Sequence, residues 1–376
     1  MTGPPANPPA PEEPPLAGTL VVDVSRMLPG AAPARVLLDL GARLVKVEQP
    51  GSGDPMRHVE PRAGGAATGF ATFFRGAESL CLDLSVRAGA ERLLPLARRA
   101  DVFVESFRPG TAERWGLGAE RLRALNPALV YCSLPGFGSG ASGGVGHDLN
   151  FTAASGLLAL LGAQGVPRAQ LADLGAGLLA GSAVLAALLR RARTGRGARV
   201  EQPVASGPLP FTTWSLADAG RGETGVQHSL LAGRTPSYRL YPCGDGRLLA
   251  VAAVEPKFWT AFLELVGLPE LASAGADAGA AGERAAAAVA RVLASEPRGH
   301  WLERAAERGL PVSAADDPET ALAGEYYAGL LERTPLPDGG ALEGAGPWLP
   351  SLGRTPGTPA PGLGEHTEAL LREFAP

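Results

Sequence analysis

The sequence predicts an α/β protein: a large domain built on an open parallel sheet, followed by a smaller domain of helices and a hairpin. Three observations carry this. The chain is 376 residues long, more than one average domain, so two cores are expected. Short β-branched runs alternate with helical stretches up to residue 134, the order that joins parallel strands through crossovers. A hairpin with an Asp245-Gly246 turn then opens a second domain.

The prolines and glutamates of MTGPPANPPAPEEPP cannot build a core, and residues 1–16 are expected to form a disordered leader with no signal-peptide pattern. TLVVDV (19–24) reads as the first strand, SRMLPG as a loop, and AAPARVLLDLGA as a helix ending near Gly41. RLVKVE (43–48) is the second strand. SLCLDL (79–84), a helix over 86–99, DVFVE (101–105), a helix over 118–125 and ALVYCSL (128–134) repeat the unit. A long helix over 173–193 starts at Asp173, ends in RRAR and stops at TGRG, so its charges complement the helix dipole. Its uncharged stretch, Leu174 to Leu189, falls short of the roughly 20 residues of a membrane span and suits a buried helix. Residues 207–236 read as loop. YRLYPCGDGRLLAVAAV is the hairpin, and helices over 257–266, 281–294 and 300–309 follow. The tail from about 335 is rich in Pro and Gly, and its last helix, HTEALLREF, is apolar enough on one face to pack back on the first domain.

Composition narrows the function. The 34 basic side chains against 38 acidic ones give a net charge of −4, which offers no field for a phosphate backbone and argues against nucleic acid. Cys81, Cys132 and Cys243 are far apart and lack CxxC or CxxH spacing, so neither a disulfide framework nor a zinc site is expected, and the compartment is expected to be reducing. Ligands of open α/β sheets gather at the carboxyl ends of strands, here the loops around 25–30, 49–57, 106–114 and 135–147. No GxGxxG or GxxxxGK[ST] opens a helix in any of them.

Five side chains stand where chemistry is plausible. His147, in GVGHDLNF, follows a Gly-rich stretch and precedes an apolar helix; on position alone it fits a helix cap as well as a proton carrier. Asp173, in QLADLGAG, is either an N-cap or a reactive carboxylate beside backbone N–H groups that can hold a developing oxyanion. Glu255, in VAAVEPKFW, ends an apolar strand and is a surface charge or points into a cleft. Arg108 and Arg114, in FRPGTAERWGLG, lie just past a strand end where such sheets bind anions, or are solvated loop charges.

Together, PLAGTLVVDVSRMLPG, VLLDLGARLVKVEQPGSGDPMR, ADVFVESFRPGTAERWGLG, NPALVYCSLPGFG, GHDLNFTAASG, LADLGAGLLAG and GLGEHTEALL resemble the family III CoA-transferases (CaiB/BaiF-like). GHD and Glu255-Pro256-Lys257-Phe258 place the resemblance in the α-methylacyl-CoA racemase branch. It implies a Rossmann-like large domain over 17–215, a small α+β domain over 226–330, and a segment 331–376 returning to the large domain, in an interlocked homodimer. By the same resemblance Arg108, Arg114 and Arg75 contact coenzyme A, Gly146 lines the pocket, and His147, Asp173 and Glu255 transfer protons, with Glu255 reaching His147 across the dimer. The implied substrate is a 2-methyl-branched acyl-CoA inverted through an enolate; coenzyme A arrives as part of it and no separate cofactor is implied. The alternatives are a CoA-transferase with Asp173 as nucleophile and a silent CoA-binding homologue. A cytoplasmic location, without nucleic-acid or membrane partners, is expected. The chain departs from the family pattern at Gln49, at Ala77 where a lysine is usual, at Phe151 where a tyrosine is frequent, and in a short loop before Gly146.

Overall fold

The structure is a computed structural model, and residues 13–138, 144–162, 165–221, 230–353 and 357–375 are described. The chain divides into two compact units: residues up to Phe211 together with those from Gly329 onward, and Thr212–Ala328.

The first unit opens with β1 (Leu20–Asp23), α1 (Met27–Asp39) and β2 (Arg43–Glu48). A short ribbon, β3 (Arg62–Ala63) and β4 (Ala66–Ala67), leads into α2 (Thr68–Phe73). There follow β5 (Glu78–Cys81), α3 (Arg87–Arg99), β6 (Val102–Glu105), α4 (Thr111–Arg114), α5 (Ala119–Leu125) and β7 (Val130–Ser133). Next come α6 (Asp148–Ala154), α7 (Leu157–Leu160), α8 (Leu171–Thr194) and β8 (Ala198–Glu201), and then α9 (Leu209–Ala217), within which the chain passes into the second unit at Thr212. Six strands form one parallel sheet in the order β5-β2-β1-β6-β7-β8. Alternation along the strands fills both faces, as a two-sided sheet requires. Val21, Val104 and Cys132 join the layer that contains α1 and α8, while Val22, Phe103 and Tyr131 join the layer of α3 and α5. The chain direction across the sheet reverses between β1 and β6, which makes the mouth between them the place for a ligand.

Small residues set the α1–α8 contact. A Cβ on Gly177 would lie 2.4 Å from that of Ala32, so the two helices approach more closely than larger side chains allow. By length and composition α8 could cross a membrane, yet half of its apolar window is buried inside the fold.

The second unit contains β9 (Tyr238–Pro242), β10 (Leu248–Ala252), α10 (Pro256–Val266), α11 (Ala280–Leu293), α12 (Arg298–Glu307), β11 (Val312–Ala315) and α13 (Pro318–Leu322). Its antiparallel sheet runs β11-β10-β9, with the β9–β10 turn at Asp245-Gly246, where Gly246 takes φ +75°. Leu249, Val251, Trp259, Phe262, Val289 and Trp301 belong to its separate core. The returning segment adds β12 (Leu331–Pro335), β13 (Ala341–Ala345) and α14 (Thr367–Glu373) to the first unit. Leu370 and Phe374 enter the α3–α5 layer, and Arg43 bridges Glu78 and Glu373.

Several expectations are corrected. Leu16, assigned to a disordered leader, donates its amide to the Leu40 carbonyl at 2.9 Å and packs on the core; residues 1–12 of that leader lie outside the described residues. The segment read as loop after 207 contains α9, and the Pro- and Gly-rich tail contains the β12–β13 hairpin.

Candidate active site

The site begins with the turn after β1. Lys46, on β2, is fully buried and stands 3.3 Å from Asp23 and 3.0 Å from Asp54, while donating to the Ser25 carbonyl at 2.6 Å. One cation between two carboxylates satisfies one of them fully. Burial pulls Lys46 down, but Asp23 and Asp54 outweigh it and hold its ammonium above the usual lysine range. Burial pushes Asp54 up, but Lys46 and neighbouring amides bring it below the usual range, whereas burial leaves Asp23 raised despite Lys46. Lys46 and Asp54 are thus each shifted toward their charged forms, and Asp23 toward its neutral one. Asp54 Oδ1 accepts the amide of Met27 at 3.3 Å, and Met27 has φ +62°, a left-handed conformation that a side chain disfavours. This buried cluster thus fixes a strained turn at the carboxyl end of β1.

The turn is tied to the next strand end. Arg26 donates its amide to Ser106 Oγ at 2.8 Å, joining the loops after β1 and β6. Buried Glu105 accepts the Phe107 amide at 2.7 Å and shapes the exit toward Arg108. From β7 the chain passes through Gly136 and Phe137, and returns through Gly144–Gly146 to His147 at the head of α6. Phe137 and Phe151 stack edge to face, with centroids 5.0 Å apart. A Cβ on Gly146 would lie 3.0 Å from the Phe151 ring, so a glycine lets the loop fold onto the aromatic pair.

These segments enclose a cavity of about 510 Å³ lined by Met27, Arg108, Gly146, His147, Phe151 and Asp173, among others. The structure therefore brings together four of the residues singled out from sequence: His147, Asp173, Arg108 and Gly146. His147 is exposed at the N-cap of α6, its amide donating to Asn150 Oδ1 at 3.0 Å. Asp173 occupies the first turn of α8, with Gln170 at the N-cap position. Burial first, and then the Asp148 carboxylate, push the Asp173 carboxyl up to about 7. A carboxyl titrating there can both take and give a proton at neutral pH.

The other assigned residues stand elsewhere. Arg114, which donates to Thr111 Oγ1 at 2.9 Å, lines a neighbouring cavity with Arg87, Trp115 and Arg121. Arg75, expected to touch coenzyme A, is fully buried under the β12–β13 hairpin, donating to Thr334 Oγ1 at 2.9 Å and to the Ala345 carbonyl at 3.2 Å; it anchors the returning segment. Glu255 is exposed at the head of α10 in the second unit, its carbonyl accepting the Phe258 and Trp259 amides. The oxyanion role expected of the α8 N-terminus is also corrected. The Ala172 and Asp173 amides donate to Asp148 Oδ1 at 2.8 and 3.0 Å, and those of Leu171 and Leu174 to the carbonyls of Ala169 and Gln170, so these donors are already used.

Sequence reading missed Asp148 and the Lys46 cluster. The signal for the latter was present: a lone lysine in RLVKVE and a lone aspartate in TLVVDV, inside strands covered on both faces, have to find each other.

A parallel α/β sheet with a raised carboxyl and a histidine lining one cavity beside its switch point defines the general architecture. The chain belongs to the CoA-transferase family III, whose sequence model matches residues 16–367. The alpha-methylacyl-CoA racemase of Homo sapiens is 33% identical over 396 residues, covering 96% of this chain and 93% of that protein. The acetyl-CoA:oxalate CoA-transferase of Acetobacter aceti is 30% identical over 397 residues, covering 98% and 97%. The crystal structure of a CAIB/BAIF family protein from Brucella suis matches with a TM-score of 0.82 at 26% identity, covering 96% of this chain and 100% of that one.

Proposed function

We propose that the protein inverts the α-carbon of 2-methyl-branched acyl-CoA thioesters by 1,1-proton transfer. The observation that carries this is the shared cavity of His147 and Asp173, with the Asp173 carboxyl titrating near 7. Inversion through a planar enolate needs a proton carrier on each face, and these two side chains supply them. A carboxyl largely protonated below 7 suits proton transfer better than nucleophilic attack, which needs the ionised form throughout. The apolar wall of Met27, Leu134, Phe137 and Phe151 suits a hydrocarbon acyl group held by shape. Coenzyme A enters with the substrate, and no further cofactor takes part.

The reading includes a homodimer in which the second unit of one copy brings Glu255 to the His147 of the other and pairs its carboxylate with that imidazole. The apolar Leu178 and Leu189, exposed on α8, support an association of copies. The second reading, CoA transfer through an Asp173 anhydride, draws support from the similarity to the Acetobacter aceti transferase.

Incubating one epimer of a 2-methylacyl-CoA in D₂O, with and without succinate, separates the two. Expected are α-deuterium uptake and inversion without an acceptor acid, reduced about 10²- to 10⁴-fold in His147→Ala. Acyl exchange that requires succinate and leaves the α-carbon unlabelled would instead establish the transferase. In this reading Arg108, a cation on the cavity wall, binds the phosphate-bearing end of the substrate. Arg108→Ala should raise KM about tenfold with kcat largely retained, the loss of a charge-assisted hydrogen bond. An unchanged KM removes Arg108 from substrate binding.

A further inference from the structure

Asp148 follows His147 directly, yet its side chain turns away to a different helix. Oδ1 accepts the amides of Ala172 and Asp173 at 2.8 and 3.0 Å, and Oδ2 faces the Thr152 hydroxyl at 3.5 Å. The carboxylate thus bolts the head of α6, which carries His147, to the first turn of α8, which carries Asp173. No sequence-adjacent contact does this, since the bonded groups are 24 and 25 positions apart. We propose that Asp148 is the positioning residue of this pair: a single carboxylate fixes the separation of the two proton carriers and sets a negative charge against Asp173. The inference rests on the proton-transfer reading above.

The charges around Asp173 single Asp148 out. The cavity walls contribute His147, Arg26 and Arg108. From the elements packed on α8, α1 brings Arg35 and Asp39, which pair with each other, and β8 brings Arg199 and Glu201, which also pair; β7 brings no charge. Asp148 is the acidic group that binds the backbone of Asp173 itself, and after burial it is the cause that raises the Asp173 carboxyl. A residue acting only as a helix cap would serve equally well as an amide. A residue acting through its charge would not.

Asp148→Asn makes that distinction, because the asparagine Oδ1 can still accept both amides while Nδ2 faces Thr152. The Asp173 carboxyl is followed by ¹³C NMR in protein labelled at aspartate Cγ, its resonance assigned by its loss in Asp173→Asn; α-deuterium exchange is followed against pH in parallel. In Asp148→Asn the Asp173 titration should move about one pH unit to the acid side, with the matching limb of the exchange profile, while the melting temperature changes little. In Asp148→Ala, which also loses the cap, exchange should fall about a hundredfold through misplacement of the carriers. An Asp173 titration and exchange profile in Asp148→Asn that superimpose on the wild type overturn the proposal, even when the wild type exchanges protons. Absence of α-exchange in the wild type, with the titration still displaced in Asp148→Asn, overturns the proton-transfer reading instead and leaves the charge effect of Asp148 standing.

Discussion

Asp173→Asn is expected to lower α-deuterium exchange by about 10²- to 10⁴-fold and, at alkaline pH, to make the protein more stable than the wild type. The two effects share one cause. Burial, reinforced by Asp148, raises the Asp173 carboxyl to about 7 in the folded chain. In the unfolded chain it ionises near the ordinary aspartate value of about 3.9. Between those values the native state binds a proton that the unfolded state has released, so stability falls as pH rises through that window, and the full cost is present above about 7. Asparagine has no proton to lose. The variant should therefore melt at a higher temperature than the wild type at pH 8, with the difference closing below about pH 4. Equal melting temperatures at pH 8 would show that Asp173 is solvated, and undiminished exchange would remove it from catalysis. A side chain that weakens the fold at working pH while serving the reaction fits the usual tension between activity and stability.

The second large effect is structural. Lys46→Met should destabilise the first unit by about 3–5 kcal/mol, read as a lower urea midpoint, because it leaves the buried Asp23 and Asp54 facing each other without their cation. Adding Asp23→Asn and Asp54→Asn to Lys46→Met should recover most of that loss, since a neutral cluster removes the unpaired charge and the amide oxygen introduced at position 54 can still accept the Met27 N–H. A loss under about 1 kcal/mol from Lys46→Met alone would mean that water reaches the cluster. The same variant should loosen the Met27 turn, so its KM for acyl-CoA should rise before its kcat falls.

The parallel sheet was legible because its strands are β-branched runs buried on two faces, and RLVKVE was placed residue for residue as β2. The β12–β13 hairpin was not, because Pro and Gly flank strands whose polar and apolar residues follow no clean alternation, and the pairing of Leu331 with Ala345 is decided across the turn. In α9, LPFTTWSLA, apolar residues fall around the whole helix, so no amphipathic period announced it. His147 and Arg108 were legible at strand-end loops of an open sheet and Asp173 at the mouth of its helix, and the cavity they share lies at the β1–β6 reversal. Asp148 was hidden by its neighbour: nothing in the order His147-Asp148 tells that the second side chain leaves for a helix 24 positions on. Arg75 was misplaced for the converse reason, since its partners arrive from the hairpin more than 250 positions later.

That late arrival governs how the protein must be made. The first unit is interrupted by the whole of Thr212–Ala328, and its α3–α5 layer is completed by Leu370 and Phe374. Arg43 waits 330 positions for Glu373. A ribosome that has just released the sixth parallel strand therefore holds a sheet with an open seam, and the inserted second unit, released next, has everything its own core needs before the residues that seal that seam emerge. The contacts that seal the seam close very long loops, an entropic toll that slows their formation. During synthesis the domain encoded in the middle is thus equipped to fold before the one encoded first.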